Sequence, residues 1–280
     1  MDRLSCAASL PPMREQTSCG PGLRLAPIRP TLIHFLAALW LFVVSADASK
    51  PNVILIYTDD HARWAVGSYG NGEVHTPHMD RLASEGMRFT RGFTKPVCSP
   101  SRAMVLTGLY SHRVGISDFI PHGNPVVSGN GLPPGTPTIA SELKQVGYRT
   151  GLVGKWHLGY GEKYYPKKFG FDVAEGFRYI APGKKIETVG KIPFLVDGKE
   201  VPRFRSDKQH TDILADRAID FIENRGDQPF FLFLSIYLPH LPWDAVPDKD
   251  RAHYEGKTLT VLNLKNFPET TMSEEKLRNL

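Results

Sequence analysis

Asn52-Val53-Ile54-Leu55-Ile56-Tyr57-Thr58-Asp59-Asp60 is an unbroken apolar run that ends in two adjacent carboxylates. A continuous run of this length reads as a buried parallel strand. A second, Phe230-Phe231-Leu232-Phe233-Leu234-Ser235-Ile236-Tyr237-Leu238, ends in Pro239-His240, and a third, from Gly147-Tyr148 through Leu152-Val153-Gly154, rises into a turn carrying Lys155 and His157. Helical patterns separate the runs. Residues 76–86 open on a capping Thr76 with Pro77 at the first helical position, close on Gly86, and are expected to pack Met79, Leu82 and Ala83. Residues 138–146 form a helix stopped by Gly147, and residues 211–224 space Ile213, Leu214, Ala218, Phe221 and Ile222 for one buried face, with Gly226 just beyond. Strands alternating with helices predict a layered α/β domain.

Each run ends in residues that can carry chemistry. Carboxylates at the C-terminal edge of a parallel strand lie where open α/β sheets bind ligands, although spacing alone favours a solvated turn for Asp59 and Asp60. Lys155 and His157, two apart on an extended segment, point the same way and can reach one cavity. Alone, a surface lysine beside a packed histidine is commonplace, and a His240 after a strand is more often a loop residue than a catalyst.

Cys98 is the only cysteine outside the first 48 residues. It lies in Pro96-Val97-Cys98-Ser99-Pro100-Ser101-Arg102, ahead of the helix-compatible residues 103–107. A lone thiol cannot bridge within the chain. Pro100 suits the first turn of a helix and Ser99 its N-cap, which puts Cys98 just before a positive helix end, a place for an anion. For a free cysteine without such a setting, burial as a small apolar side chain is the commoner role.

The whole string decides between these readings. Cys98-x-Pro100-Ser101-Arg102 with Thr107-Gly108 behind it, Asp59-Asp60 at a strand end, Gly154-Lys155-x-His157 after a Gly-Tyr strand, and Pro239-His240 occur in that order between about residues 50 and 243. In this they resemble the formylglycine-dependent sulfatases. Residues 76–83 are also similar to that family's Thr-Pro-Asn-Leu-Asp-x-Leu-Ala segment, whose role is architectural. The resemblance implies an alkaline phosphatase-like fold, a layered α/β sheet with helices on both faces. It implies that a formylglycine-generating, sulfatase-maturing enzyme oxidises Cys98 to an aldehyde whose hydrate attacks sulfur. Asp59, Asp60 and residue 98 would ligate a divalent cation, usually calcium. Arg102 would steady the hydrate, Lys155 would hold a sulfate oxygen or the hydrate, His157 would take a proton from the second hydroxyl, and His240 would donate to, or hydrogen-bond, the leaving oxygen. The implied substrate is a sulfated small molecule, such as an aryl sulfate, or a sulfated polysaccharide. Phosphonate and phosphate monoester hydrolases share the same nucleophile, and an inactive paralogue that binds sulfated glycans without cleaving them is a further alternative.

The chain also departs from the pattern. Sulfatases complete the metal site with an Asp followed by Asn or His in a later Ser-Asp-x-Gly strand end, and usually add a second active-site lysine. Residues 247–280 contain Asp248, Asp250 and a charged stretch at 273–276 but no such strand. The chain therefore reads as the N-terminal part of a longer protein, with catalytic-domain sequence over 49–280. Two carboxylates and a hydrate hold calcium weakly, because that ion takes about six to eight oxygens. Little or no turnover is expected of the 280 residues alone.

Composition fits an exported hydrolase. With 41% apolar residues, 280 residues suffice for one core. Arg24 and Arg29 precede a thirteen-residue apolar run at 32–44 and the A-x-A site Ser45-Ala46-Asp47-Ala48, which predicts a secretory signal peptide cleaved before Ser49. The run is short for a membrane span, so no stable span is expected; an uncleaved anchor is the alternative. Residues 1–20, with Cys6 and Cys19, form an overlong leader or reflect a mis-set start, with Met13 a second candidate initiator. Residues 1–48 carry four basic and three acidic side chains, so their loss lowers the formal charge from +5 to +4. Lysines 163, 167, 168, 184, 185 and 191 lie in an irregular stretch, either a solvated loop or a rim that attracts an anionic substrate. There is no basic helix, stacking motif or zinc spacing, so nucleic acid is not an expected partner. The Gly- and Pro-rich residues 126–137 are expected to form a loop on the active-site side. Export and mild basicity lean the substrate towards polysaccharide sulfates.

Overall fold

The computed structural model describes residues 49–121, 131–177, 194–197, 199–201, 208, 210–240 and 248–258. The expected signal peptide at 1–48, the first part of the 126–137 loop, Lys184, Lys185, Lys191 and residues 259–280 lie outside them.

In chain order the elements are β1 (Val53–Asp59), α1 (Pro77–Glu85), α2 (Cys98–Thr107), α3 (Ile139–Gln145), β2 (Arg149–Gly154), β3 (Val173–Phe177), β4 (Phe194–Val196), β5 (Lys199–Val201), α4 (His210–Glu223), β6 (Phe230–Pro239) and the single turn α5 (Asp248–Arg251). The six strands form one sheet in the order β1-β6-β2-β3-β4-β5. The first four strands in that order run parallel, whereas β4 and β5 are added antiparallel. Tyr57, Ser235 and Gly154 occupy one register row across β1, β6 and β2. The three strands with chemistry-bearing ends are therefore adjacent, and Asp59, Lys155 and His240 emerge at the same edge.

Alternation along β6 builds two cores. Phe231 and Phe233 pack with Leu152 and with Ala103 of α2 and Ala140 of α3. Phe230 and Leu232 pack on the other face with Val153 and with Ile213, Leu214, Ala218 and Phe221 of α4. Each fully buried aromatic or aliphatic side chain contributes roughly 1.5–3 kcal/mol. Helices thus cover both faces, as expected. Gly151 makes the second contact possible, because a Cβ there would lie 2.6 Å from the Phe221 ring.

Two packing expectations change. Among the described residues β1 is an edge strand, and its apolar run is covered on one face only: Val53, Leu55 and Tyr57 pack on the core, while Ile54 and Ile56 are 48% and 53% exposed. On α1, Met79 and Leu82 are exposed rather than packed. Thr76 does not cap α1 through its side chain either. Its hydroxyl instead donates to Asp80, 3.1 Å away, and accepts the Gly67 N–H at 2.8 Å, which ties α1 to the turn at 67–69. At α3, Thr138 and Ser141 form a capping box, each side chain accepting the other's N–H. Residues 131–137 do run beside the chain leaving β2, with the Leu132 N–H bonded to the Leu158 carbonyl at 2.9 Å.

Candidate active site

The helix carrying Cys98 begins two residues earlier than its sequence suggests. Val97, with extended backbone, is the N-cap, and Cys98 is the first helical residue. Pro100 is third, where its missing N–H still costs nothing because the first four N–H groups have no helical partner. Ser99 does not cap; its hydroxyl accepts the Ile120 N–H at 3.1 Å. Ser101 bonds to the Tyr57 hydroxyl and, at 2.6 Å, to that of Thr94, fixing α2 against β1. The side chain of residue 98 therefore remains at the positive end of the helix.

Behind it lies a buried charge cluster. Asp59 at the end of β1 is 4% exposed, Lys155 8% and Arg102 0%. One oxygen of Asp59, Oδ2, accepts a hydrogen bond from the Lys155 ammonium and lies 3.3 Å from Nη2 of Arg102. Nη1 of Arg102 donates to the Lys155 carbonyl at 2.9 Å and to the Ser235 hydroxyl. The guanidinium also sits 5.3 Å from the centre of the Tyr57 ring. Burial alone would raise the Asp59 carboxyl, but Arg102 and Lys155 outweigh it and hold the group below the usual carboxylate range.

Lys155 and His157 meet the site by a turn rather than by strand alternation. β2 stops at Gly154, whose φ of +114° no side chain adopts readily, and a Cβ there would lie 2.0 Å from the Ser235 carbonyl oxygen. His157 is also left-handed, with φ +56°. Its Nδ1 lies 3.2 Å from Sγ of Cys98 and its Nε2 lies 2.9 Å from the Ile120 carbonyl oxygen. A carbonyl can only accept, so Nε2 carries a proton, and in the neutral imidazole the Nδ1 lone pair faces residue 98. The Tyr160 hydroxyl reaches the same carbonyl at 3.5 Å.

Asp60, left-handed with φ +56°, is exposed, and its Oδ2 lies 3.6 Å from Nε2 of His240. The His240 N–H donates to the Tyr237 carbonyl at 3.1 Å. All seven residues singled out from the sequence therefore gather at one edge of the sheet, in three groups: Cys98 with His157, Asp59 with Lys155 and Arg102, and Asp60 with His240.

Sequence reasoning passed over Ser235, Tyr237, Tyr160 and the Ile120 carbonyl. Burial pushes the Tyr237 phenol up to about 12, helped by the negative charge of Asp59 and Cys98. The Tyr160 phenol is also raised by burial, then by Cys98 and Tyr237. For Ser235 the available signal was a polar residue interrupting the apolar run of β6.

The expected cation set, Asp59, Asp60 and Cys98, is not assembled as one. No group of three or more His, Cys, Asp or Glu side chains suited to a metal occurs among the described residues. Oδ2 of Asp59 is taken by two cations, and Asp60 faces His240. Two carboxylates fall well short of the roughly six to eight oxygens calcium takes, so these residues do not complete its site. Among the described residues no helix is long and apolar enough to cross a membrane.

A mixed α/β sheet covered by helices on both faces, with ionisable side chains gathered at the ends of its parallel strands, is the layered architecture of the alkaline phosphatase-like proteins. The Sulfatase family model matches residues 51–261. The chain is 32% identical over 243 residues to N-acetylgalactosamine-6-sulfatase of Rattus norvegicus, covering 81% of this chain and 46% of that protein. It is 33% identical over 249 residues to N-acetylglucosamine-6-O-sulfatase of Bacteroides thetaiotaomicron, covering 85% of this chain and 38% of that one. The solved structure of Ps i-CgsB in complex with k-i-k-neocarrahexaose superposes with a TM-score of 0.66 at 31% identity, over 76% of this chain and 50% of that one. The chain belongs to the sulfatase family. It spans less than half the length of either relative.

Proposed function

We propose that the protein hydrolyses sulfate monoesters, and that residues 49–280 supply the nucleophile-bearing part of its catalytic domain. The observation that carries this reading is the pairing of Cys98 with Nδ1 of His157 at the start of α2, the far nitrogen of the ring lying against the Ile120 carbonyl. A sulfate ester is a stable monoanion. Its hydrolysis needs a strong nucleophile at sulfur, positive charge against the sulfuryl oxygens, and a proton for the departing oxygen.

A maturing enzyme that oxidises Cys98 to formylglycine would supply the nucleophile, since the hydrated aldehyde offers one hydroxyl for attack and a second through which sulfate is expelled. His157 accepts the proton of residue 98 at Nδ1, held in that tautomer by the Ile120 carbonyl. Lys155 opposes the sulfuryl charge, and the N-terminus of α2 adds to it. Arg102, wholly buried, steadies the charge of the site through Asp59 and the Lys155 carbonyl. His240, beside Asp60, holds the proton for the leaving oxygen. A divalent cation on Asp59 and Asp60 would need oxygen donors beyond those the described residues gather; the steps above use the chain's own side chains.

The names of both relatives favour a carbohydrate sulfate over an aryl sulfate. Export through residues 1–48 belongs to the same proposal. The test is made on the natively produced, full-length protein. The peptide spanning residues 92–102 should carry an aldehyde at position 98, and sulfate should be released from a 6-sulfated N-acetylhexosamine faster than phosphate or phosphonate from the matching monoesters. Unmodified thiol throughout, or faster phosphate or phosphonate release, overturns the reading. Sulfated-glycan binding without release would leave a binding protein.

A further inference from the structure

Tyr237 lies outside every motif that marks the site, yet its ring touches two of the residues placed in the reaction. The Lys155 ammonium sits 4.4 Å from the ring centre. The His240 ring meets it edge-on, 4.8 Å away, and His210 at the start of α4 backs it at 6.2 Å, again edge-on. Tyr237 is 9% exposed and Lys155 8%, so the ammonium and the ring face meet largely out of water, where a cation–π contact is strongest. The phenol makes no hydrogen bond among the described residues, which leaves the ring as the part in use.

An ammonium has three N–H donors. Asp59 takes one, the ring face of Tyr237 lies against the ammonium on another side, and one remains. Among the described residues nothing else restrains the tip of this flexible four-carbon stem, since a single carboxylate oxygen fixes a distance but not a direction.

We propose that Tyr237 is a positioning residue of this site: its ring face directs the Lys155 ammonium so that the free N–H addresses a sulfuryl oxygen. The anion-binding half of this rests on the sulfatase reading. The contact itself does not.

The experiment uses the full-length protein with lysine labelled at Cε, the Lys155 signal being assigned through a Lys155→Arg variant. Tyr237→Phe keeps the ring and its quadrupole. Replacing Tyr237 by pentafluorophenylalanine keeps the ring's shape but reverses its charge distribution, so the fold is retained while the attraction is lost. The Lys155 signal should be shifted upfield by the ring current in the wild type and in Tyr237→Phe, and should return to the ordinary lysine position in the fluorinated variant. Titration with inorganic sulfate should move the wild-type signal, with affinity within about twofold in Tyr237→Phe and roughly tenfold weaker in the fluorinated protein, as befits one desolvated cation–π contact.

A fluorinated variant that keeps both the shift and the affinity makes Tyr237 mere packing and overturns the proposal. So does a Tyr237→Phe variant that loses them, since the hydroxyl would then be the acting group. A wild-type signal indifferent to sulfate overturns the anion-facing role. Because the shift is read without any ester, a full-length protein that releases no sulfate yet shows the shift would end the sulfatase reading and leave the Lys155–Tyr237 contact standing.

Discussion

Nδ1 of His157 lies 3.2 Å from Sγ of Cys98, while Nε2 of the same ring lies 2.9 Å from the Ile120 carbonyl oxygen. The second contact decides what the first can do. A carbonyl cannot donate, so the ring is held with a basic nitrogen facing residue 98, and a proton removed there meets a lone pair rather than another N–H.

Replacing His157 by Ala in the full-length protein should therefore lower kcat by roughly 10²- to 10⁴-fold, the usual range for a lost general base, with KM little changed. Steady-state kinetics on a sulfate monoester would read this. An unchanged kcat would remove His157 from proton transfer.

Asp59 carries the charge balance of the buried cluster. Asp59→Asn leaves Lys155 and Arg102 buried without a counter-charge, which should cost about 3–5 kcal/mol in denaturant unfolding of the chain. The pH dependence has a definite sign. Arg102 and Lys155 outweigh burial and hold the folded carboxyl below its ordinary value of 3.8, so the stabilisation is complete above that value and disappears as pH falls through the lower folded one. An acid-induced loss below about pH 4 that is larger in the wild type than in Asp59→Asn is the expected result, the remainder coming from carboxyls such as Asp172 that are also held low.

Most of this arrangement was legible in the sequence because strand ends are marked locally. Asp59, Lys155 and His240 each follow an apolar run, and parallel strands in one sheet place their C-terminal ends together. The Ile120 carbonyl was not legible, since a backbone acceptor has no residue type and its partner is 37 positions away. Tyr237 was hidden for a different reason: within an apolar strand an aromatic ring reads as core, and only its approach to the Lys155 ammonium distinguishes it. The exposed face of β1 was missed because an apolar run records what a strand can bury, whereas its cover depends on which elements pack over each face, and among the described residues only one face of β1 is covered. The start of α2 was misplaced because Ser99 and Pro100 are equally at home as cap and first residue, or as second and third, and the bond from Ile120 to Ser99 selects the latter.

Gly154 and Gly161 offer a controlled comparison, both with positive φ, +114° and +93°. A Cβ at Gly161 meets nothing within 4 Å, whereas at Gly154 it would lie 2.0 Å from a backbone carbonyl of β6. Gly161→Ala should cost about 1–3 kcal/mol, the backbone strain alone. Gly154→Ala should cost more than about 3 kcal/mol, because β2 must also move away from β6 and carry Lys155 with it. Equal losses in chemical denaturation would mean that the close passage of β2 over Ser235 is not maintained in solution.

His210, nine-tenths buried at the start of α4 and edge-on to Tyr237, gives the protein a second acid-sensitive step at higher pH. Burial pushes its imidazole down to about 4, from 6.5 in the unfolded chain. Between those values the unfolded chain takes up a proton that the folded one refuses, so unfolding gains as pH falls. The contribution is complete above about pH 6.5 and disappears towards pH 4, with an upper size of about 3 kcal/mol. His210→Gln keeps a polar side chain of similar reach without a titrating group. Its Tm should be nearly level between pH 7 and pH 4.5 while the wild type declines, whereas the Asp59→Asn variant should decline with the wild type across that window. If His210→Gln falls as steeply as the wild type, the proton is taken up elsewhere and the imidazole is not held neutral against Tyr237.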